Sequence, residues 1–218
     1  HSTPVQLWFG EFIHGVMEEA YRTWNEAPND HRFPWAWDPE IREIEMDINR
    51  RLQARGLSPP PRIFCPYTAD TTNQGFCRDA NHPHKLLASS RAEAAINTWG
   101  PHLFTLIADA EVRLKGTRRM PNYNCETSRS NYYGINGIAD VITSVQMDSA
   151  PSGNLILHHI NRDPGIRDLI DSLEEPEYEI IIDYKGMRRP AKVLPNGEIN
   201  PTWASHEWQI LTYGWLRA

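Results

Sequence analysis

The 218 residues carry 22 Lys and Arg against 28 Asp and Glu, for a formal net charge of −6, and 40% are hydrophobic. That length suits one domain with a core of ordinary size, and no run approaches the roughly 20 apolar residues needed to span a bilayer. Three cysteines are few and odd in number, which argues against a secreted disulfide framework. We expect a cytoplasmic protein with no membrane partner, folded as a single domain over residues 1–218.

Two helices are predicted in the first part of the chain. Residues 5–24 place apolar side chains at helical spacing on one face, which indicates a buried helix. Asp38 and Pro39 offer an N-cap and a first helical residue for a second helix, and Gly56 can end it.

An irregular segment separates these helices from a third. Residues 57–84 are rich in Pro, Asn, Thr and Asp without a sustained period, which is typical of an insertion. Ser89 or Ser90 then caps a helix that continues through Trp99. Gly100–Pro101 is expected to break this helix.

The pattern then changes to strands. Residues 110–115 and part of 133–145 alternate apolar with polar positions, and residues 178–184 hold three consecutive isoleucines, as in a strand covered on both faces. A second insertion with a short helical stretch occupies 146–176, and a helix covers 201–216. This order predicts an α/β fold in which helices flank a small mixed β-sheet.

The end of the third predicted strand carries the most informative pair. Asp183 and Lys185 are two residues apart, so strand geometry projects both side chains to the same side. The carboxylate can bind a hard cation, and the lysine can orient water or offset developing negative charge. An exposed ion pair at the end of a strand is the alternative.

A second acid lies in the middle of another predicted strand. Asp140 has apolar neighbours, and a lone buried carboxylate is costly unless it is paired or holds a metal. Gly137 would let a substrate or another backbone come close. The alternative is an aspartate that points to solvent from a half-buried strand.

Two helices add polar side chains. His14 follows Gly10 by one turn, where a small residue permits close packing, and its imidazole could bind a metal or phosphate or be a satisfied structural histidine. Gln209 and Tyr213 are four residues apart and share one helix face. They could reach together toward a phosphate, a base or the lysine, or belong to an ordinary helix surface.

Four motifs follow one another along the chain: Gly-x-x-x-His in a helix, Gly-x-x-Asp and Asp-x-Lys in strands, and Gln-x-x-x-Tyr in a helix. Their order resembles the RecB-like branch of the PD-(D/E)XK nuclease superfamily. The resemblance covers most of the core but not the insertions, and implies a restriction-endonuclease-like core. It also implies a Mg2+- or Mn2+-dependent deoxyribonuclease, exonuclease or endonuclease, that binds single- or double-stranded DNA and can have a helicase or another protein as partner.

The resemblance also assigns roles to residues. The implied metal ligands are His14, Asp140, Asp183 and Tyr184, and the implied catalytic residues are Asp140, Asp183, Lys185, Gln209 and Tyr213. Lys185 would assist the attacking water, whereas Gln209 and Tyr213 would support substrate and site. The family often has a further acid on the strand before Asp140, a position that Glu111 could fill.

The chain departs from the family pattern in three ways. The segment between the two aspartates is too long for a simple hairpin. Cys65, Cys77 and Cys125 all lie between His14 and Asp140, whereas iron–sulfur members place cysteines before the core and after the last motif, so no iron–sulfur cluster is expected. The family core also has a strand after the Gln-x-x-x-Tyr helix, and we expect that this strand is missing.

Three other hypotheses stay open. Two thiols and two imidazoles, those of Cys65, Cys77, His82 and His84, could bind zinc, although their spacing fits no zinc-finger pattern. The chain could instead be a non-cleaving nucleic-acid-binding module of the same fold, within a larger helicase, recombination or defence assembly. It could also be an interaction protein with exposed aromatic residues, but five tryptophans at helical core spacing favour packing: Trp8, Trp24, Trp99, Trp208 and Trp215.

Two basic clusters offset the acidic balance. Either could form a local track for phosphates or a solvated face. The first contains Arg113, Lys115, Arg118 and Arg119, and the second contains Lys185, Arg188, Arg189 and Lys192.

Overall fold

A computed structural model of the chain describes residues 4–57, 88–119 and 132–218. Nearly all of the predicted insertion at 57–84 lies outside these residues. The zinc hypothesis also falls outside them, because it rests on residues 65–84, and so does Cys125. No helix of the described residues is both long and apolar enough to cross a membrane.

The chain divides into two compact units. Unit 1 comprises His1–Leu106, Pro151–Glu174 and Tyr184–Gly186. Unit 2 comprises Ile107–Ala150, Glu175–Asp183 and Met187–Ala218. Each unit is therefore assembled from segments that are separate in the sequence, and each is described by itself below.

Unit 1 is helical. Its long helices are predicted by the periodicity of the sequence, whereas the short helix α4 is not. A π-helical turn at Trp37–Ile41 precedes α2. The helices are α1 Pro4–Glu26, α2 Arg42–Ala54, α3 Ser90–Leu103, α4 Leu155–Asn161 and α5 Pro164–Asp171.

The apolar face of α1 is the centre of unit 1. Val16 and Ala20 are fully buried, as the predicted stripe requires. A Cβ on Gly15 would lie 2.9 Å from a side-chain carbon of Ile48 in α2, so these two helices approach closely. The prediction for α1 is confirmed in its extent and in its buried face.

Two predicted helix boundaries in unit 1 were wrong in detail. Asp38 has an extended backbone but makes no capping hydrogen bond, and the N–H of Ala36 is instead bonded to the Glu40 carboxylate at 2.7 Å. The α3 helix does not break at Pro101 but continues to Leu103. Proline has a helical φ and removes only one N–H, and burial of Leu103 holds the additional turn in place.

Unit 2 contains a three-stranded sheet in the order β1-β2-β3. The strands are β1 Ile107–Arg119, β2 Tyr132–Gln146 and β3 Glu177–Ile182, and both pairs are antiparallel. The described strands therefore form an antiparallel sheet, and the predicted mixed sheet is wrong for them. A parallel pair needs a crossover between opposite ends of the sheet, whereas β3 starts beside the residue at which β2 ends.

The second insertion leaves the sheet at that point. Gln146 pairs with Glu177, and the N–H of Met147 donates to the Pro176 carbonyl at 2.8 Å. These contacts close the base of residues 147–176. The two strands thus pair as a hairpin even though the chain between them is long.

The last helix, α6, spans Pro201–Arg217 and packs on β1 and β3. The Asn200 side chain accepts a hydrogen bond from the Thr202 N–H at 3.0 Å, and Pro201 is the first helical residue. At the other end, two nitrogens of the Arg217 guanidinium donate to the Glu179 carboxylate of β3 at 2.9 and 2.6 Å. This ion pair links the end of α6 to the sheet.

The prediction that core packing explains the tryptophans was wrong for three of them. Trp8 is buried, but Trp99 is 39% exposed, Trp208 is 67% exposed and Trp215 is 47% exposed. Helical spacing predicts that side chains share a face, but it does not predict whether that face is covered.

We expect the ion pair of Glu179 with Arg217 to make unit 2 less stable at low pH. The hydrogen bond from Arg217 holds the pKa of Glu179 below its ordinary value. The stabilisation is therefore present above the pKa of an unfolded glutamate, about 4.3, and is lost as the pH falls through the lower folded pKa. Both side chains are more than a third exposed, so the loss should not exceed about 1 kcal/mol.

Urea denaturation at neutral and acidic pH measures this effect. Glu179→Gln should lose less stability on acidification than the wild type does. Glu175→Gln, which changes an exposed acid near the start of the same strand, should behave as the wild type. An equal loss of stability in all three proteins would contradict the role given to the ion pair of Glu179 with Arg217.

Candidate active site

Asp140 is a buried acid in the central strand of unit 2. It is 7% exposed, and its neighbour Val141 pairs with Ala110 on one side and Ile182 on the other. The alternative of an aspartate that points to solvent is therefore wrong. A carboxylate at such a position is costly to bury unless other groups compensate its charge.

Glu111 lies opposite Asp140 in the register of β1 and β2. The pairs Ala110 with Val141 and Val112 with Ala139 bracket the two acids. Glu111 has a φ of 54°, which is in the left-handed region and is uncommon for a residue with a side chain. Such backbone strain is concentrated at functional sites, and the acid that the resemblance allows on the preceding strand lies beside Asp140.

Asp183 immediately follows the last residue of β3. Ile182 pairs with Val141, so the register continued by one residue sets Asp183 opposite Asp140. The strand ends two residues earlier than predicted, and the segment Tyr184–Gly186 that follows is part of unit 1. Glu111, Asp140 and Asp183 therefore lie at directly opposite positions across the sheet, and we call this set the row of acids.

The alternation of side chains along β2 changes near Asp140. Ala139 and Ile142 belong to one buried cluster with Tyr213, although residues three apart in a regular strand point to opposite faces. The change coincides with the left-handed residue on the neighbouring strand. Regular alternation therefore does not predict the side toward which Asp140 points.

Gln209 connects the last helix to the second acid. Its amide nitrogen donates to Asp183 Oδ1 at 3.1 Å and to the Tyr213 hydroxyl at 2.7 Å. One amide group supplies both hydrogen atoms. The Gln-x-x-x-Tyr helix and the Asp-x-Lys segment, far apart in the sequence, thus meet in unit 2, which makes the alternative of an ordinary helix surface wrong.

Tyr213 occupies the space that a side chain at position 137 would need. A Cβ on Gly137 would lie 2.5 Å from one ring carbon of Tyr213 and 3.1 Å from another. Tyr213 is 8% exposed, so its ring has little freedom to move. The space at Gly137 is therefore taken by the Tyr213 side chain, and not by a substrate or another backbone as expected.

In unit 1, the segment after Asp183 lies on α1. His14 Nε2 is 2.6 Å from the Tyr184 carbonyl oxygen, and because a carbonyl only accepts, the imidazole donates here. A Cβ on Gly186 would lie 2.7 Å from the Phe9 ring, and Arg91 donates to the Gly186 carbonyl at 3.1 Å. His14 and Tyr184, both implied metal ligands, are therefore adjacent.

The sequence pattern predicts no role for Arg91 or Gly186. The position of Gly186 directly after the Asp-x-Lys motif is the one feature of the sequence that could have indicated it. No sequence feature indicates Arg91. The expectation of close packing at Gly10 was wrong, because a Cβ there would meet no described atom within 4 Å. In α1 the close contact is at Gly15.

The predicted metal ligands do not form a ready cluster. In the described part of the chain, no group of three or more His, Cys, Asp and Glu residues is arranged to hold a metal ion. Asp183 and His14 instead have the protein partners given above, and Lys185 is exposed.

Comparisons with protein-family models, with curated proteins and with solved structures found no match to this chain.

We expect Gly137→Ala to weaken the packing of α6 on β2. The added methyl group would overlap the buried Tyr213 ring, and overpacking of this kind costs roughly 1–3 kcal/mol. Urea denaturation should report the loss. Gly134→Ala is the matched control, because a Cβ there meets no described atom within 4 Å, and it should leave stability unchanged or raise it slightly. Equal stability of the two variants would contradict the contact.

Proposed function

We propose that the chain is a metal-dependent nuclease that hydrolyses phosphodiester bonds in DNA, with Asp140 and Asp183 as its central acids. The observation that carries the proposal is the hydrogen bonding of Gln209 to Asp183 and Tyr213. Residues from two motifs that are far apart in the sequence contact one another, which chance matches to short motifs would not require.

The donor atoms of the proposed ligands suit Mg2+ or Mn2+. In unit 2, the carboxylates of Asp140 and Asp183 are hard oxygen donors, which these cations prefer. In unit 1, the Tyr184 carbonyl is a hard oxygen donor and His14 offers an imidazole nitrogen, and a cation bound there would replace the hydrogen bond that these two groups share.

The side chains of the site have separate roles. Gln209 holds Asp183 in one orientation through its hydrogen bond, and the buried Tyr213 holds Gln209. Lys185, two residues after Asp183, orients the attacking water and offsets the negative charge that develops on the phosphate. Bound Mg2+ or Mn2+ would act as a Lewis acid that offsets the charge developing on the phosphate.

The proposal extends to the fold. The antiparallel strands, with α6 packed on β1 and β3, would be part of a restriction-endonuclease-like core. Both acids would then lie at neighbouring strand positions, as their register suggests. Residues 147–176 would be an insertion in this core.

We expect Asp140→Asn and Asp183→Asn each to reduce DNA cleavage to the level of an EDTA control, because each removes a charged ligand without a large change in shape. The measurement is cleavage of linear and circular DNA, single- and double-stranded, with Mn2+, Mg2+ or EDTA. Asp148→Asn is the control, since Asp148 is an exposed acid just after β2, and it should cleave as the wild type does. Cleavage by Asp183→Asn at the wild-type rate would overturn the proposal.

A further inference from the structure

The hairpin of β1 and β2 has one face covered by α6 and one open face. Leu114 packs in a cluster with Tyr213, and a Cβ on Gly116 would lie 2.6 Å from Leu216. The even-numbered residues of this part of β1 therefore face α6. Because strand side chains alternate, Arg113 and Lys115 point to the opposite face, which we call the outer face.

The outer face continues across to β2. Arg113 pairs with Ile138, and Lys115 pairs with Asn136. All four residues are exposed, and Ile138 is 45% exposed despite being apolar. Arginine, lysine, an amide and an apolar side chain thus form one continuous polar and cationic surface with a single hydrophobic contact point.

The two cations of the outer face have no counter-charge in the described residues. Neither Arg113 nor Lys115 forms a salt bridge with another described residue. Other basic groups of unit 2 have partners: Arg189 and Lys192 lie 5.0 and 6.0 Å from the centroid of the Trp203 ring. Within the part of the chain that the structure describes, no carboxylate pairs with these two cations, so both can contact an anion from outside.

The direction of the two cations relates them to the candidate site. Glu111 lies opposite Asp140, Arg113 follows it by two residues, and Lys115 by four. At about 3.4 Å per residue, the cations lie roughly 7 and 14 Å along the strand from the row of acids. A linear polyanion that touched both would run parallel to the strands, on the face of the hairpin opposite α6.

We propose that the outer face binds the phosphodiester backbone of a nucleic-acid strand along the hairpin, an inference that rests on the proposed nuclease function. Arg113 and Lys115 contact successive phosphates, Asn136 donates to a phosphate or base oxygen, and Ile138 contacts a sugar or base. Phosphate contacts fix position and carry no base sequence information, so the surface binds without sequence preference.

The test is the salt dependence of binding to a fluorescently labelled single-stranded DNA, measured by anisotropy in EDTA so that cleavage does not occur. Each phosphate contact contributes about 0.7 to the slope of log K against log salt for single strands. The double variant Arg113→Gln, Lys115→Gln should therefore lower the slope by about 1.4. The reverse exchange Arg113→Lys, Lys115→Arg keeps both charges and should retain the wild-type slope.

Arg162→Gln, Arg167→Gln is the matched control, because it removes two exposed cations from the insertion and leaves the hairpin unchanged. Its slope should equal that of the wild type. Three outcomes would each overturn the outer-face proposal. They are an unchanged slope in the Arg113, Lys115 variant, a slope lowered equally in the control, and no DNA binding by the wild type. Metal-dependent cleavage, lost in Asp183→Asn, would still support the nuclease in those cases. If the slope falls as expected but no metal-dependent cleavage occurs, the outer-face proposal is supported and the nuclease proposal is rejected.

Discussion

The amide of Gln209 is the contact on which the account of the site depends. One nitrogen donates to both the Asp183 carboxylate and the Tyr213 hydroxyl, so the orientation of the acid is coupled to the packing of the last helix. Tyr213 is in turn held against β2, where only glycine leaves room for its ring. A hydrogen bond to a charged group is stronger than one between neutral groups. Under the proposed function, fixing the acid in this way would reduce the entropy lost on binding a cation.

The sheet register provides the second constraint. Antiparallel pairing on both sides of β2 aligns Glu111, Asp140 and the position of Asp183 in one row. Three acids in one row repel one another unless a cation or hydrogen-bond donors compensate their charge. The left-handed backbone of Glu111 and the changed alternation at Asp140 occur in the same row. The regular hairpin beyond this row carries the basic outer face, so opposite charges are separated along the same two strands.

Much of this arrangement could be predicted from local pattern. The period of α1 gave its buried face, and the spacing of Gln209 and Tyr213 placed them together on α6. Non-local geometry could not be predicted in the same way. The end of β3 at Ile182 depends on where the following segment packs, and the antiparallel return of β3 depends on contacts that close the insertion at Met147 and Pro176. Exposure of Trp208 depends on what covers α6, which no helical period encodes.

The central claim is that Asp140 takes part in binding a divalent cation, and titration of the protein with Mn2+ in a calorimeter tests it without requiring DNA or turnover. The account predicts that the wild type binds Mn2+ and that Asp140→Asn binds it at least about tenfold more weakly, with Asp148→Asn unchanged. Equal Mn2+ affinity in the wild type and Asp140→Asn would contradict the account, because the buried carboxylate would then have no part in holding a metal.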